Sequence, residues 1–168
     1  RMGIGDVTRP LVPAVIEAMH NAVDDMSHAE TFHGYSPAFG YDFLRQAILE
    51  RDYTARGISL DLDEIFVSDG AKCDVANIQE LFSPDTVVAV MDPVYPVYVD
   101  TNVMSGRGGA FDEKKGGYEK IIYMPGNEQN GFVADLPQKR PDVMYLCFPN
   151  NPTGVTLSKE QLKRFVDY

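Results

Sequence analysis

FPNNPTG, residues 148–154, follows directly on the apolar run VMYLC at 143–147. An apolar segment that stops in Pro, Asn and Gly reads as a buried strand running into a tight turn. Ligands of parallel α/β sheets gather at such carboxyl ends. Asn151, carried on an Asn-Pro turn, offers a fixed amide able to hydrogen-bond a ring substituent. Asn150 and Thr153 shape the turn around it. The Asn151–Pro152 bond is of the X-Pro kind, which reaches cis far more readily than other peptides.

Upstream the same rhythm recurs. Residues 64–68 (EIFVS), 86–91 (TVVAVM) and 120–124 (KIIYM) read as short strands, with 143–148 as a further one. Residues 71–82, with Val75, Ile78 and Phe82 on one face, and 97–104 read as helices between them. Short apolar strands alternating with helices predict the α/β class: a mainly parallel sheet with helices on both faces. Nearer the start, 11–26 and 41–56 read as two more helices. Pro13 suits the first turn of one and Gly57 closes the other. The Gly- and charge-rich stretch 107–117 reads as a loop, and no internal repeat is visible.

At 168 residues, 44% of them hydrophobic and 24% charged, the composition is that of a globular domain with a real core. The net charge of −10 carries no basic face for nucleic acid. No apolar run approaches membrane-spanning length, so a cytoplasmic protein is expected. Cys73 and Cys147 sit among apolar residues without metal-ligand spacing and read as buried, reduced thiols. Ser158 and Gln161 form a capping box, with Leu157 and Leu162 placed as a hydrophobic staple. A helix begun so carefully, in a chain whose first residue is Arg, is expected to belong to a longer protein.

Two more strand ends carry suggestive residues. In VSDGAKCD, 67–74, a strand meets a helix at Gly70-Ala71. Helix N-termini present unpaired amides and partial positive charge, and so receive phosphate. Lys72 in that first turn opposes the dipole unless an anion is bound there. An ordinary turn capped by Asp69 suits the same residues. In MDPVYPVY, 91–98, Tyr95 is stiffened by Pro93 and Pro96 and offers a plate for a flat ring. A Tyr packed on the core is the plainer alternative. The loop ETFHGYSPAFG, 30–40, adds His33 and Tyr35. Taken together, an anion cradle, an aromatic plate and a ring-facing amide suit a planar phosphorylated cofactor.

The order SDGAK, DPVY, NNPTG resembles the fold-type I pyridoxal-phosphate aminotransferases over nearly the whole chain. GIGDVTRPL, ETFHGYSP, SDGAKCD and YPVYVD are similar to the branch acting on LL-diaminopimelate. That resemblance implies pyridoxal 5'-phosphate as cofactor, with Gly70, Ala71 and Lys72 at its phosphate, Tyr95 on its ring and Asn151 on its phenolic oxygen. It implies substrate contacts from Lys72 and Asn151, from Ile4 and Gly5 at the carboxylate, and from Tyr35 across a homodimer interface. The implied partner is a small amino-acid substrate: LL-2,6-diaminopimelate gives its amine to 2-oxoglutarate in lysine biosynthesis. Residues 1–40 are then a small-domain portion with its connecting loop, and 41–168 an incomplete cofactor-binding major domain. The family's cofactor-bearing lysine lies beyond NPTG, so no catalytic residue is expected among these 168 and the stretch alone is expected to be inactive. Ala38 stands where that branch carries an acidic residue, three positions after the Tyr of the GY pair. Another class I/II aminotransferase, a pyridoxal-phosphate lyase and a non-catalytic module with this fold remain alternatives.

Overall fold

The computed structural model describes residues 7–168 and divides into two compact units, Arg1–Ser68 and Asp69–Tyr168. In the first, helix α1 spans Pro13–Asp25 with its proline in the opening turn. Its apolar residues Val15, Ile16, Met19 and Val23 recur at the expected spacing, yet all are exposed and no residue of α1 is buried. Helix α2, Asp42–Ile48, continues through a π-turn at Leu49–Tyr53 and a 3-10 turn at Thr54–Arg56. Gly57, at φ 76°, ends it in the left-handed conformation open to glycine.

The residue that α2 buries is charged. Arg45 is 6% exposed. Its Nε donates to the Ile65 carbonyl at 2.9 Å, Nη2 donates to the Leu62 carbonyl, and Nη1 pairs with Asp42 at 2.9 Å. Its guanidinium also lies over the Phe39 ring, 5.4 Å from the centroid. The expected strand at 64–68 does not form. A 3-10 turn, Leu62–Glu64, takes its first residue, held by the Asp61–Glu64 capping box. Ile65 is extended (φ −112°, ψ 122°), and Val67 N–H donates to the Phe39 carbonyl at 3.0 Å. Extended backbone becomes a strand only beside a neighbour, and among the described residues no strand pairs with it.

The second unit is built on a three-stranded parallel sheet. Helix α3, Ala71–Asn77, runs on as a 3-10 turn, Ile78–Leu81. Strand β1, Val88–Asp92, then leads to helix α4, Val97–Met104. A short antiparallel hairpin, β2 (Phe111–Asp112) and β3 (Gly117–Tyr118), forms within the stretch expected as loop. Strands β4, Ile121–Pro125, and β5, Val143–Tyr145, complete the sheet, and helix α5 spans Lys159–Asp167. The order is β4-β1-β5, with Val88 opposite both Ile121 and Val143.

Strand β1 lies in the middle, and Val88, Ala89, Val90 and Met91 are all buried. One face gathers Ala89, Met91, Met124, Ala134 and Phe165 of α5. The other gathers Val88, Val90 and Ile121 against Tyr98, Val99 and Val103 of α4. A continuous apolar run is what a strand covered on both faces requires. The capping box forms as expected: Gln161 N–H donates to Ser158 Oγ at 3.2 Å, and Ser158 N–H to Gln161 Oε1 at 2.8 Å. Leu157 packs on the core. The cysteines differ from expectation, both free but Cys73 exposed and Cys147 half-buried.

Met124 is 1% exposed and touches the β1 core. Met124→Ala in the whole protein is expected to lower unfolding free energy by about 2–5 kcal/mol. Urea unfolding should show the midpoint fall with little change in slope.

Candidate functional site

Two strands of the sheet end side by side and their loops converge. Strand β1 passes through a cis Asp92–Pro93 peptide to Tyr95 and α4. Strand β5 passes to 148–154, where Phe148–Pro149 and Asn151–Pro152 are also cis. Asn150, 4% exposed, holds the second loop. Its Nδ2 donates to Thr153 Oγ1 at 2.9 Å and to the Pro93 carbonyl at 3.0 Å. Its backbone N–H donates to the Val155 carbonyl at 2.8 Å, and its own carbonyl accepts from Gly154 N–H at 2.6 Å. Asn151 is left exposed at the tip of this turn. The structure thus joins the turn of Asn151 to the loop of Tyr95.

Tyr95 is half-buried and meets Tyr98 edge-on, ring centroids 5.9 Å apart at 83°. Tyr98 in turn stacks on Tyr145, 4.9 Å away at 22°. The Tyr145 hydroxyl accepts from Gln79 Nε2 at 2.7 Å and from Asn102 Nδ2 at 3.4 Å. Asn102, 1% exposed, also donates to the Tyr98 carbonyl at 2.8 Å. Gln79 closes the α3 segment, so the helix that begins at Gly70 is fastened to β5 at its far end.

Arg107 supports this arrangement from behind. It is 3% exposed, although its surroundings in the sequence read as a charged loop. Its Nη1 donates to Gln79 Oε1 at 2.7 Å, Nη2 to the Gln79 carbonyl at 2.8 Å and the Phe82 carbonyl at 2.5 Å, and Nε to the Ser83 carbonyl at 2.9 Å. A cation that caps the last carbonyls of a helical segment opposes the negative end of its dipole. Sequence reasoning missed Tyr145, Gln79, Asn102 and Arg107. The available signal was a phenol inside the apolar strand VMYLC, since a buried hydroxyl needs a partner.

At the other end of α3, Gly70 is the N-cap at φ 127°, ψ 171°, a conformation open only to glycine. A Cβ built there meets nothing within 4 Å. The N-cap residue is a glycine and so gives the first turn no side-chain hydrogen bond of its own. Ala71 and Lys72 are exposed there. The amides of a helix first turn with a lysine in it, the half-buried Tyr95 ring and the exposed Asn151 carboxamide are, by chemistry, groups that fit a planar phosphorylated ligand. Among the described residues no group of His, Cys, Asp and Glu is placed to hold a metal.

In the first unit, Tyr35 is fully exposed. His33 packs against Tyr41 and Phe43, centroids 5.0 and 5.5 Å away. The expected contacts of Ile4 and Gly5 lie outside the described residues.

Burial raises the Tyr98 phenol above its ordinary 10.0, and the neighbouring Cys147, Tyr95 and Tyr145 reinforce the shift. The unfolded phenol ionises first, so the folded state keeps this stabilisation below pH 10 and loses it as pH rises further. In a titration followed by phenolate absorption, Tyr98→Phe should remove a component that ionises above the range of free tyrosine. It should also flatten the loss of stability above that range.

The family model for aminotransferase class I and II matches residues 1–168. The chain is 62% identical over all 168 residues to LL-diaminopimelate aminotransferase of Agathobacter rectalis, covering 42% of that protein. It is 57% identical to the enzyme of the same name from Lachnospira eligens, over 100% of the chain and 42% of the relative. Among solved structures, L,L-diaminopimelate aminotransferase from Chlamydomonas reinhardtii matches with a TM-score of 0.84 and 40% identity, over 99% of this chain and 40% of that one. The chain spans about two-fifths of the length of the curated relatives it matches. On these matches the chain belongs to the class I and II aminotransferases.

Proposed function

We propose that the whole protein moves an amino group between LL-2,6-diaminopimelate and 2-oxoglutarate, with pyridoxal 5'-phosphate as cofactor. The observation that carries this is identity of 57–62% with LL-diaminopimelate aminotransferases across all 168 residues. Tetrahydrodipicolinate and glutamate are the products in one direction, and a role in lysine biosynthesis in the cytoplasm is part of the same proposal.

Bound pyridoxal phosphate supplies an electron sink for the exchange of the amino group. The chain's own residues bind and orient it. Backbone amides of Ala71 and Lys72 hold the phosphate, and Gly70 lets it approach the backbone. Tyr95 supports the ring. Asn151 donates to the phenolic oxygen, favouring its deprotonated form. Lys72 and Asn151 also face the substrate, Ile4 and Gly5 line its carboxylate, and Tyr35 reaches the site of a partner copy in a homodimer. Residues 1–40 belong to a small domain and 41–168 to the cofactor-binding major domain. Ala38, in place of an acidic residue near the substrate's distal amine, favours a second reading in which the donor is a different amino acid.

Full-length protein offered LL-diaminopimelate and 2-oxoglutarate is expected to form glutamate. No glutamate, together with turnover of another donor in a panel of amino acids, would establish the second reading instead. Tyr95→Ala should weaken cofactor retention by roughly two- to tenfold, the worth of one aromatic stack. Equilibrium dialysis giving the wild-type constant would remove Tyr95 from the site. Asn151→Ala should raise the pH at which the absorption of the bound cofactor changes, because the phenolate loses a donor. A titration curve overlying wild type would contradict that role.

A further inference from the structure

We propose that Asn150 is a positioning residue that couples the two loops of the site, so that Tyr95 and Asn151 are presented as one unit. The inference rests on the cofactor site proposed above.

The ladder between β1 and β5 ends at the pair Val90 and Tyr145. Beyond it each loop leaves its own strand, and the backbone hydrogen bonds of 148–154 close within that loop and its immediate continuation, Asn150 to Val155 and Gly154 to Asn150. The hydrogen bond that crosses to the other loop comes from a side chain: Asn150 Nδ2 to the Pro93 carbonyl, two residues before Tyr95. The same nitrogen holds Thr153 Oγ1, two residues after Asn151. One buried amide group therefore spends its two protons on the two loops.

The orientation of this amide is set by chemistry. Turned over, Oδ1 would face the Pro93 carbonyl, an acceptor against an acceptor. In the observed orientation Asn150 Oδ1 is buried without a hydrogen-bond partner among the described residues. An unmatched buried acceptor is costly, and an apolar side chain would avoid the cost while filling the same space. What the amide gives, and an apolar side chain cannot, is the pair of donated bonds. Asn150 touches neither ring nor substrate in this scheme and acts only through its neighbours.

Asn150→Asp keeps the shape and removes both donors. In the full-length, cofactor-free protein, amide exchange should quicken together in 93–99 and 150–155, by about tenfold in each segment. Affinity for pyridoxal phosphate should fall by about tenfold in the same variant. In a Tyr95→Ala/Asn151→Ala background, Asn150→Asp should weaken affinity by less than about threefold, because the side chains it positions are gone. Thr153→Val, which removes one accepting hydroxyl and spares the Pro93 bond, should quicken exchange in 150–155 alone. It is the milder variant should Asn150→Asp fail to fold. Exchange rising in only one segment of Asn150→Asp, in neither, or in both segments of Thr153→Val would overturn the coupling. So would an affinity loss of equal size in both backgrounds. Wild-type protein that takes up no pyridoxal phosphate would defeat the proposed function and leave the exchange result to decide the coupling.

Discussion

The second unit depends on β1 being paired in parallel on both sides and covered on both faces. All five residues, Val88–Asp92, pair with β4 on one edge and the first three, Val88–Val90, with β5 on the other, and the first four are buried. Parallel pairing sends the chain off all three strands in the same direction. Whatever follows β1 and β5 must therefore emerge at one edge of the sheet. The convergence of the Tyr95 loop with the Asn151 loop is a consequence of that pairing.

Polar groups inside the unit extend this order beyond the ladder. The Tyr145 hydroxyl, Gln79, Asn102 and Arg107 satisfy one another and the last carbonyls of the α3 segment. Hydrogen bonds of this kind add modestly to stability when made and cost more when one partner is removed. Their larger effect here is orientational. They fasten α3, whose first turn holds Gly70, to the strand whose loop carries Asn151. In the function proposed above, these bonds hold in place the elements that carry the cofactor-binding loops.

Much of the fold was legible because its signals are local. The β-branched run 86–91, the Ser158–Gln161 box, the Gly57 stop and the proline at the start of α1 each act within a few residues. The strand expected at 64–68 failed for the opposite reason, since pairing depends on a neighbour and EIFVS carries no information about one. The residue that α2 buries follows the same rule: Arg45 turns inward because carbonyls of Leu62 and Ile65, far along the chain, accept its protons. At the site, Gly70, Tyr95 and Asn151 stood out by residue type and by place after an apolar run. Asn150 read as turn material, and Arg107 as part of a loop.

By itself the sequence determined the class of fold, the order of strand, turn and helix, and the small set of residues chemically suited to a flat, phosphorylated ligand. Those follow from backbone preference, apolar periodicity and side-chain type, which are properties of short stretches. Only the tertiary structure decided which polar side chains turn inward and what they hold. Asn150 reaches Pro93 across 57 residues, and Gln79 reaches Tyr145 across 66. Such bonds are favoured only once the sheet has brought their ends together and excluded water, and no local pattern in the chain encodes that event.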